Sequence, residues 1–370
     1  MTPRLSRRTL IKAASASIVL AGHSGVRAQD AARNFSPRPQ GWRTFEVTTT
    51  VRLRNARGES TVWLPIPSLD TPWQRTQDSS WSGNSAAVRI DADRDTGARI
   101  LVARFGADTV QPMLTLTHRV QTQNRAVDWK ARDADRPDPA ELRRWTAPSE
   151  LITTDGIVRK VANQITLGAR SDREKAQRIY DWVIVSTYRE PKVRGCGVGD
   201  IKTMLETGNL SGKCADINAL FVGLCRASGI PARDIYGIRL VPSAFGYREL
   251  GANPASLKGA QHCRAEVYLK AHGWVAMDPA DVTKVMRQET PEWIKDAGHP
   301  IVAPVRKALF GSWEGNWMGY NSASDITLPG SRQGRLGFLM YPQAQSGASS
   351  YDPYDPDSFA YQITAREIDA

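Results

Sequence analysis

The run from Cys214 to Ser228 constrains this chain more than any other stretch. It is apolar nearly all round, so as a helix it has to be enclosed by other elements and cannot lie on a surface. Gly229 ends it and Pro231 prevents its continuation, the usual stop for a helix. Gly212 and Lys213 lead into it, which puts Cys214 at the helix N-terminus. Unsatisfied N–H groups and a partial positive charge there favour loss of the thiol proton, so Cys214 is the expected site of chemistry. Cys225, eleven residues further on, reads as a small apolar core residue.

The chain has 370 residues, long enough for two domains. At 41% hydrophobic and 24% charged residues it reads as globular rather than disordered. The first residues resemble an export signal. Arg7 and Arg8 precede a weakly apolar stretch from Ala13 to Gly22, and Val26, Arg27 and Ala28 offer small residues for cleavage. The paired arginines are similar to the twin-arginine signal of bacteria, which implies the twin-arginine export machinery as a partner, cleavage after Ala28 and a periplasmic or secreted protein. Removing residues 1–28 takes five positive charges from the formal +11 and leaves +6. With no Lys/Arg block and no interleaved aromatics, the mature chain carries no nucleic-acid footprint. Nor does it contain an apolar run long enough to be an integral membrane segment.

Residues 29–43 are polar and rich in Pro and Arg, and read as a linker. Alternation then begins, with Phe45, Val47, Thr49, Val51 and Leu53 on one face, and further short strands separated by turn residues predict a β-sandwich over 44–127. His118 shares a face with Leu114, Leu116 and Val120 and reads as a core or edge histidine. A stretch rich in Arg, Asp and Pro from Asp128 to Pro148 marks the domain boundary. Helical periodicity follows, with Thr154 and Asp155 placed to cap one helix and Ser171 and Glu174 in capping-box spacing at the next. Beyond the Cys214 helix come strand-like runs at 235–241, 264–269 and 274–277. Helices followed by antiparallel strands are the order of an α+β domain, here over 149–290. The tail over 291–370 is expected to pack on the core as an extension, with strand-like runs at 337–341 and 359–363 and with Trp313, Trp317 and Tyr320 as packing surface.

A thiolate that attacks an amide needs a base to carry its proton and a third group to orient that base. His262 opens the strand Gln261 to Leu269, and Asp278 closes the next strand, Gly273 to Asp278. The short turn between them predicts a hairpin with both residues on one face; their offset depends on where the turn is centred. Cys263 points to the face opposite His262. For that reason a metal site made of Cys214, Cys263 and His262 is rejected, and neither a metal nor a cofactor is expected.

These residues carry a resemblance to the transglutaminase-like superfamily of papain-like thiol enzymes. Gly212, Lys213, Cys214, Ala215 and Asp216 resemble its nucleophile motif, and Ala227 to Arg233 the motif after the helix. Gln261 to Leu269 resembles its histidine strand and Gly273 to Pro279 its aspartate strand. The resemblance implies an α+β core with a buried Cys-bearing helix against an antiparallel sheet. It also implies Cys214 as nucleophile, His262 as base and acid, Asp278 as the group fixing the imidazole, and an oxyanion hole built partly from the Cys214 backbone N–H. Tyr188 and Asn209 are candidate side-chain donors that read as structural. One departure is Arg264, where family members often carry an aromatic. It shares a face with His262 and Glu266, and is expected either to pair with Glu266 or to select an acidic substrate.

The implied activity is that of an exported cysteine peptidase, amidase or acyltransferase acting on peptide or side-chain amides of an envelope protein or peptide substrate. The other reading is a catalytically idle binding or scaffold module of the same fold. Only four cysteines occur; if Cys214 stays reduced, three pairings remain, of which Cys196 with Cys263 is the expected disulfide.

Overall fold

A computed structural model describes residues 33–94, 96–131 and 136–368. The candidate signal segment lies outside the described residues. Alternating apolar residues close a sandwich of two antiparallel sheets around Val51, Val62, Leu64, Leu101, Leu114 and Phe359. The first sheet is ordered Tyr361–Ile368, Arg43–Arg52, Met113–Thr122, Gln74–Gly83. The second is ordered Ser349–Ser350, Gln343–Ser346, Ser60–Ile66, Arg99–Phe105, Ala87–Ala92. The tail therefore supplies strands to both sheets of the sandwich, while its Trp313, Trp317 and Tyr320 are buried in the main core. Gln343–Ser346 and Tyr361–Ile368 are shifted toward the C-terminus from the runs expected at 337–341 and 359–363. Phe35, in the stretch read as a linker, is buried against Phe245 and Tyr247.

His118 is buried in the first sheet, with its Nδ1 2.9 Å from the Ser79 hydroxyl. Burial pushes its pKa down to about 3. Among the described residues no helix is long and apolar enough to cross a membrane.

The second layer is α+β. Its antiparallel sheet is ordered Gly273–Met277, Gln261–Leu269, Ala232–Arg239, Trp317–Asn321. The helix Cys214–Ala227 lies against it, and every one of its residues is buried. Helices Gly156–Thr166, Asp172–Ser186, Ile201–Thr207 and Pro279–Gln288 complete the enclosure that its apolar sequence demands. Ser171 caps its helix through the Glu174 N–H at 3.1 Å. Asp155 occupies the cap position of the preceding helix but makes no capping bond.

The hairpin register is set by Leu269 opposite Gly273 and Ala265 opposite Met277. Continued one step, it brings Asp278 level with Arg264, two residues from His262.

Candidate active site

Cys214 is the first residue of the enclosed helix, so its N–H has no intrahelical acceptor. The loop over 190–199 is folded against this end. Ala215 N–H donates to the Cys196 carbonyl at 2.9 Å, and the Asp216 carboxylate accepts the N–H groups of Val198, Gly199 and Lys213 at 2.8, 2.9 and 2.9 Å. Gly197 has φ +93°, and a Cβ there would stand 1.8 Å from Asp216 Oδ2. The glycine is therefore required by both backbone and space.

His262 and Asp278 come together as the hairpin predicts. His262 Nε2 is 2.7 Å from Asp278 Oδ2 and 3.3 Å from Asp281 Oδ1. Asp278 ends its strand and caps the helix Pro279–Gln288, accepting the Asp281 N–H at 3.1 Å. Strand end and helix start thus hold the carboxylate in place, and the helix N-terminus favours its charge. Asn218, one turn beyond Cys214, donates to Asp278 Oδ1 at 3.3 Å and to the Cys263 carbonyl at 2.9 Å, and accepts the Ala280 N–H at 3.2 Å. With Nε2 committed to carboxylates, Nδ1 is the ring atom left for a thiol.

The electrostatics of His262 follow from burial and three neighbouring charges. Burial and the Arg239 charge would lower the His262 pKa; Asp281 and Asp278 override them and raise it to about 9. Burial would likewise raise the Cys214 pKa. Interactions with the Cys196 and Cys263 thiols and with His262 outweigh it and hold Cys214 well below the ordinary thiol value. The carboxylate of Asp281 is balanced by the buried Arg239, to which it is hydrogen-bonded.

Arg264 does not pair with Glu266. It is buried between Trp313 and Trp317, with Nε 3.7 Å from Asp278 Oδ2 and a donated bond to the Glu314 carbonyl at 2.9 Å. Glu266 is taken instead by Arg233 at 2.7 Å and by Arg125. The register explains the difference, because it sets Arg264 opposite Asp278. The Nε of Arg264 makes no hydrogen bond among the described residues, so its link to Asp278 is one of charge alone.

His262, Asp278 and Asp281 offer ligand atoms within 4.8 Å of one another. These atoms are already bonded to each other, and Arg239 and Arg264 supply the compensating positive charge, a poor setting for a cation.

Of the two candidate side-chain donors, Asn209 folds onto its own turn, accepting from Ser211 N–H and hydroxyl at 3.2 and 2.7 Å. Tyr188 is partly exposed, stacks 5.6 Å from Trp293, and lines a cavity of about 270 Å³ with Thr283, Met286 and Lys295. The cysteines expected as a disulfide, Cys196 and Cys263, are free thiols, as are Cys214 and Cys225.

Asp281, Asn218 and Arg239 are the site residues that the sequence reading missed. Asn218 had a signal, being four residues from Cys214 and so on the same helix face. Asp281 and Arg239 had none, since each reads as an ordinary charged residue of its element.

The family model of the transglutaminase-like superfamily matches residues 159–279, the span that holds Cys214, His262 and Asp278. An uncharacterised protein of Haemophilus influenzae is 33% identical over 342 residues, covering 88% of this chain and 91% of that protein. The crystal structure of a candidate cysteine protease from Cytophaga hutchinsonii superposes with a TM-score of 0.55 at 17% identity, covering 90% of this chain and 93% of that one. The sheet, the enclosed helix and the family match agree, and the chain belongs to the transglutaminase-like superfamily.

Proposed function

We propose that the protein is an exported thiol enzyme that acts on peptide or side-chain amide bonds through Cys214, His262 and Asp278 and a thioester intermediate. The observation that carries the reading is the bond of 2.7 Å between His262 Nε2 and Asp278 Oδ2 beside a thiol at a helix N-terminus. The Cys214 thiolate attacks the amide carbon, and the oxygen that becomes negative faces the free Cys214 N–H. The His262 imidazolium then gives its proton to the departing amine, leaving a thioester on Cys214. Water or a second amine attacks this thioester while His262 takes the proton back, giving hydrolysis or acyl transfer. The proposed substrate is an envelope protein or peptide. Export through the twin-arginine machinery rests on Arg7 and Arg8.

An idle module of the same fold is favoured by one observation, the enclosure of Cys214 and His262, which are 2% and 3% exposed. Reaction with iodoacetamide at about pH 6 separates the two, because an ordinary thiol of pKa about 8.5 is slow there. Fast labelling of Cys214 that is lost in His262→Ala but kept in Cys225→Ala is expected. Comparing periplasmic peptides cleaved or cross-linked by the wild type and by Cys214→Ala then identifies the substrate; equal profiles would remove the enzymatic reading.

A further inference from the structure

Amide chemistry uses one thiol, yet three are gathered here. Cys196 is carried by the loop over 190–199, between Gly195 at φ +54° and Gly197 at φ +93°. Its carbonyl holds the Ala215 N–H, so its backbone touches the start of the Cys214 helix. Its thiol donates to the Gln261 carbonyl at 3.3 Å and receives the Tyr341 hydroxyl at 3.1 Å. Cys263 is two residues beyond Gln261 on the adjoining strand. The Cys214 helix also reaches the backbone of Cys263, through Asn218, which donates to the Cys263 carbonyl at 2.9 Å, whereas Cys225 lies eleven residues further along the helix.

We propose that Cys196 is the resolving thiol of Cys214: a hydroperoxide oxidises Cys214, and Cys196 captures the product as an intramolecular disulfide that a dithiol reductant reverses. The Cys214 thiolate sulfur attacks one peroxide oxygen and the O–O bond breaks, giving a sulfenic acid and a hydroxide that is protonated to water. Cys196 then loses its proton and attacks the sulfenic sulfur. The S–S bond forms, the S–O bond breaks, and the hydroxide leaves as a second water. Two thiols are oxidised and one hydrogen peroxide is reduced to two waters. Exchange with an added dithiol returns both thiols through a mixed disulfide.

Cys196 rather than Cys263 fills this role because of what holds each. A disulfide needs Cα atoms about 4.4–6.8 Å apart and a particular dihedral. The Cys196 carbonyl is bonded to the Ala215 N–H at 2.9 Å, which sets its backbone beside the residue that follows Cys214. Cys263 is fixed in the sheet opposite Tyr236, with its carbonyl held by Asn218.

The inference rests on Cys214 being the reactive thiol, and the test keeps the two ideas apart. The mature chain, fully reduced, is exposed to hydrogen peroxide, digested and mapped by mass spectrometry. A peptide pair joining Cys196 to Cys214 is expected, with Cys214 labelling falling by about tenfold or more and returning after dithiothreitol. In Cys196→Ser the same treatment carries Cys214 on to the sulfinic acid, and labelling does not return; Cys225→Ala behaves as the wild type. A map that shows no link to Cys214, or a Cys196–Cys263 link with Cys214 still labelling, overturns the proposal, as does full recovery of Cys196→Ser. Should Cys196→Ser fail to fold by circular dichroism, the wild-type map decides alone. Labelling of the untreated protein reports separately on the amide-chemistry reading.

Discussion

At His262 two carboxylates converge on one ring nitrogen, and each brings its own arginine. Asp281 is held by Arg239, and Asp278 lies beside Arg264. Asp281 is the second carboxylate that lifts the His262 pKa to about 9. Replacing Asp281 with Asn removes a charge that favours the imidazolium, so the proton leaves at lower pH. The alkaline limb of the Cys214 labelling profile is expected to move down by about one pH unit or more. The same change strands Arg239 in the core and is expected to lower unfolding stability by about 3–5 kcal/mol in denaturant titrations. An unshifted labelling profile in the folded variant would remove Asp281 from the site. The meeting of His262 and Asp278 was legible from alternation along the hairpin. The partner of Arg264 was not, because alternation tells which face a side chain takes but not which strand lies across from it.

Among the elements, the junction of the 190–199 loop with the Cys214 helix depends on one carboxylate. Asp216→Ala removes the acceptor for three backbone N–H groups and is expected to cost about 2–3 kcal/mol. Hydrogen exchange at Val198 and Gly199 is expected to quicken in the same variant; unchanged protection there would mean that other contacts hold the loop. Gly197→Ala is expected to give a similar phenotype, since its Cβ would occupy the space of the Asp216 carboxylate. The starts of the two preceding helices were legible to different degrees. Ser171 advertises its cap through Glu174 three residues on, whereas Asp155 stands in the right place without making the bond. The hairpin register was open because a turn between Lys270 and Gly273 admits more than one centre, and a shift by a single residue changes which side chains meet.

For the molecule as a whole, the sandwich is assembled from both ends of the chain. Its N-terminal strands were legible from alternation, but the tail strands pair with partners about three hundred residues earlier, and no local pattern reveals such a partner. Deleting residues 361–370 strips the edge from Arg43–Arg52 and uncovers a row of unpaired backbone groups. Aggregation and rapid proteolysis of the sandwich are expected, and a soluble, protease-resistant truncation would show that the last strand is dispensable. His118 adds a pH dependence to the same layer. Its folded pKa of about 3 lies below the unfolded value of about 6.5. Its neutral form is therefore accommodated above pH 6.5, and stability drains away as pH falls from there toward 3, by up to about 4 kcal/mol. The loss should be blunted in His118→Gln, measured by denaturant unfolding at pH 7 and pH 4.

The pairing of Tyr361–Ile368 with Arg43–Arg52 also sets an order of events during synthesis. The segments that build the Cys214 helix and the histidine hairpin leave the ribosome well before the last strand does. The first sheet must wait for Tyr361–Ile368. A nascent chain therefore carries Cys214 inside an unfinished shell, and the first strand acquires its second neighbour only after the segments around Cys214 have been made.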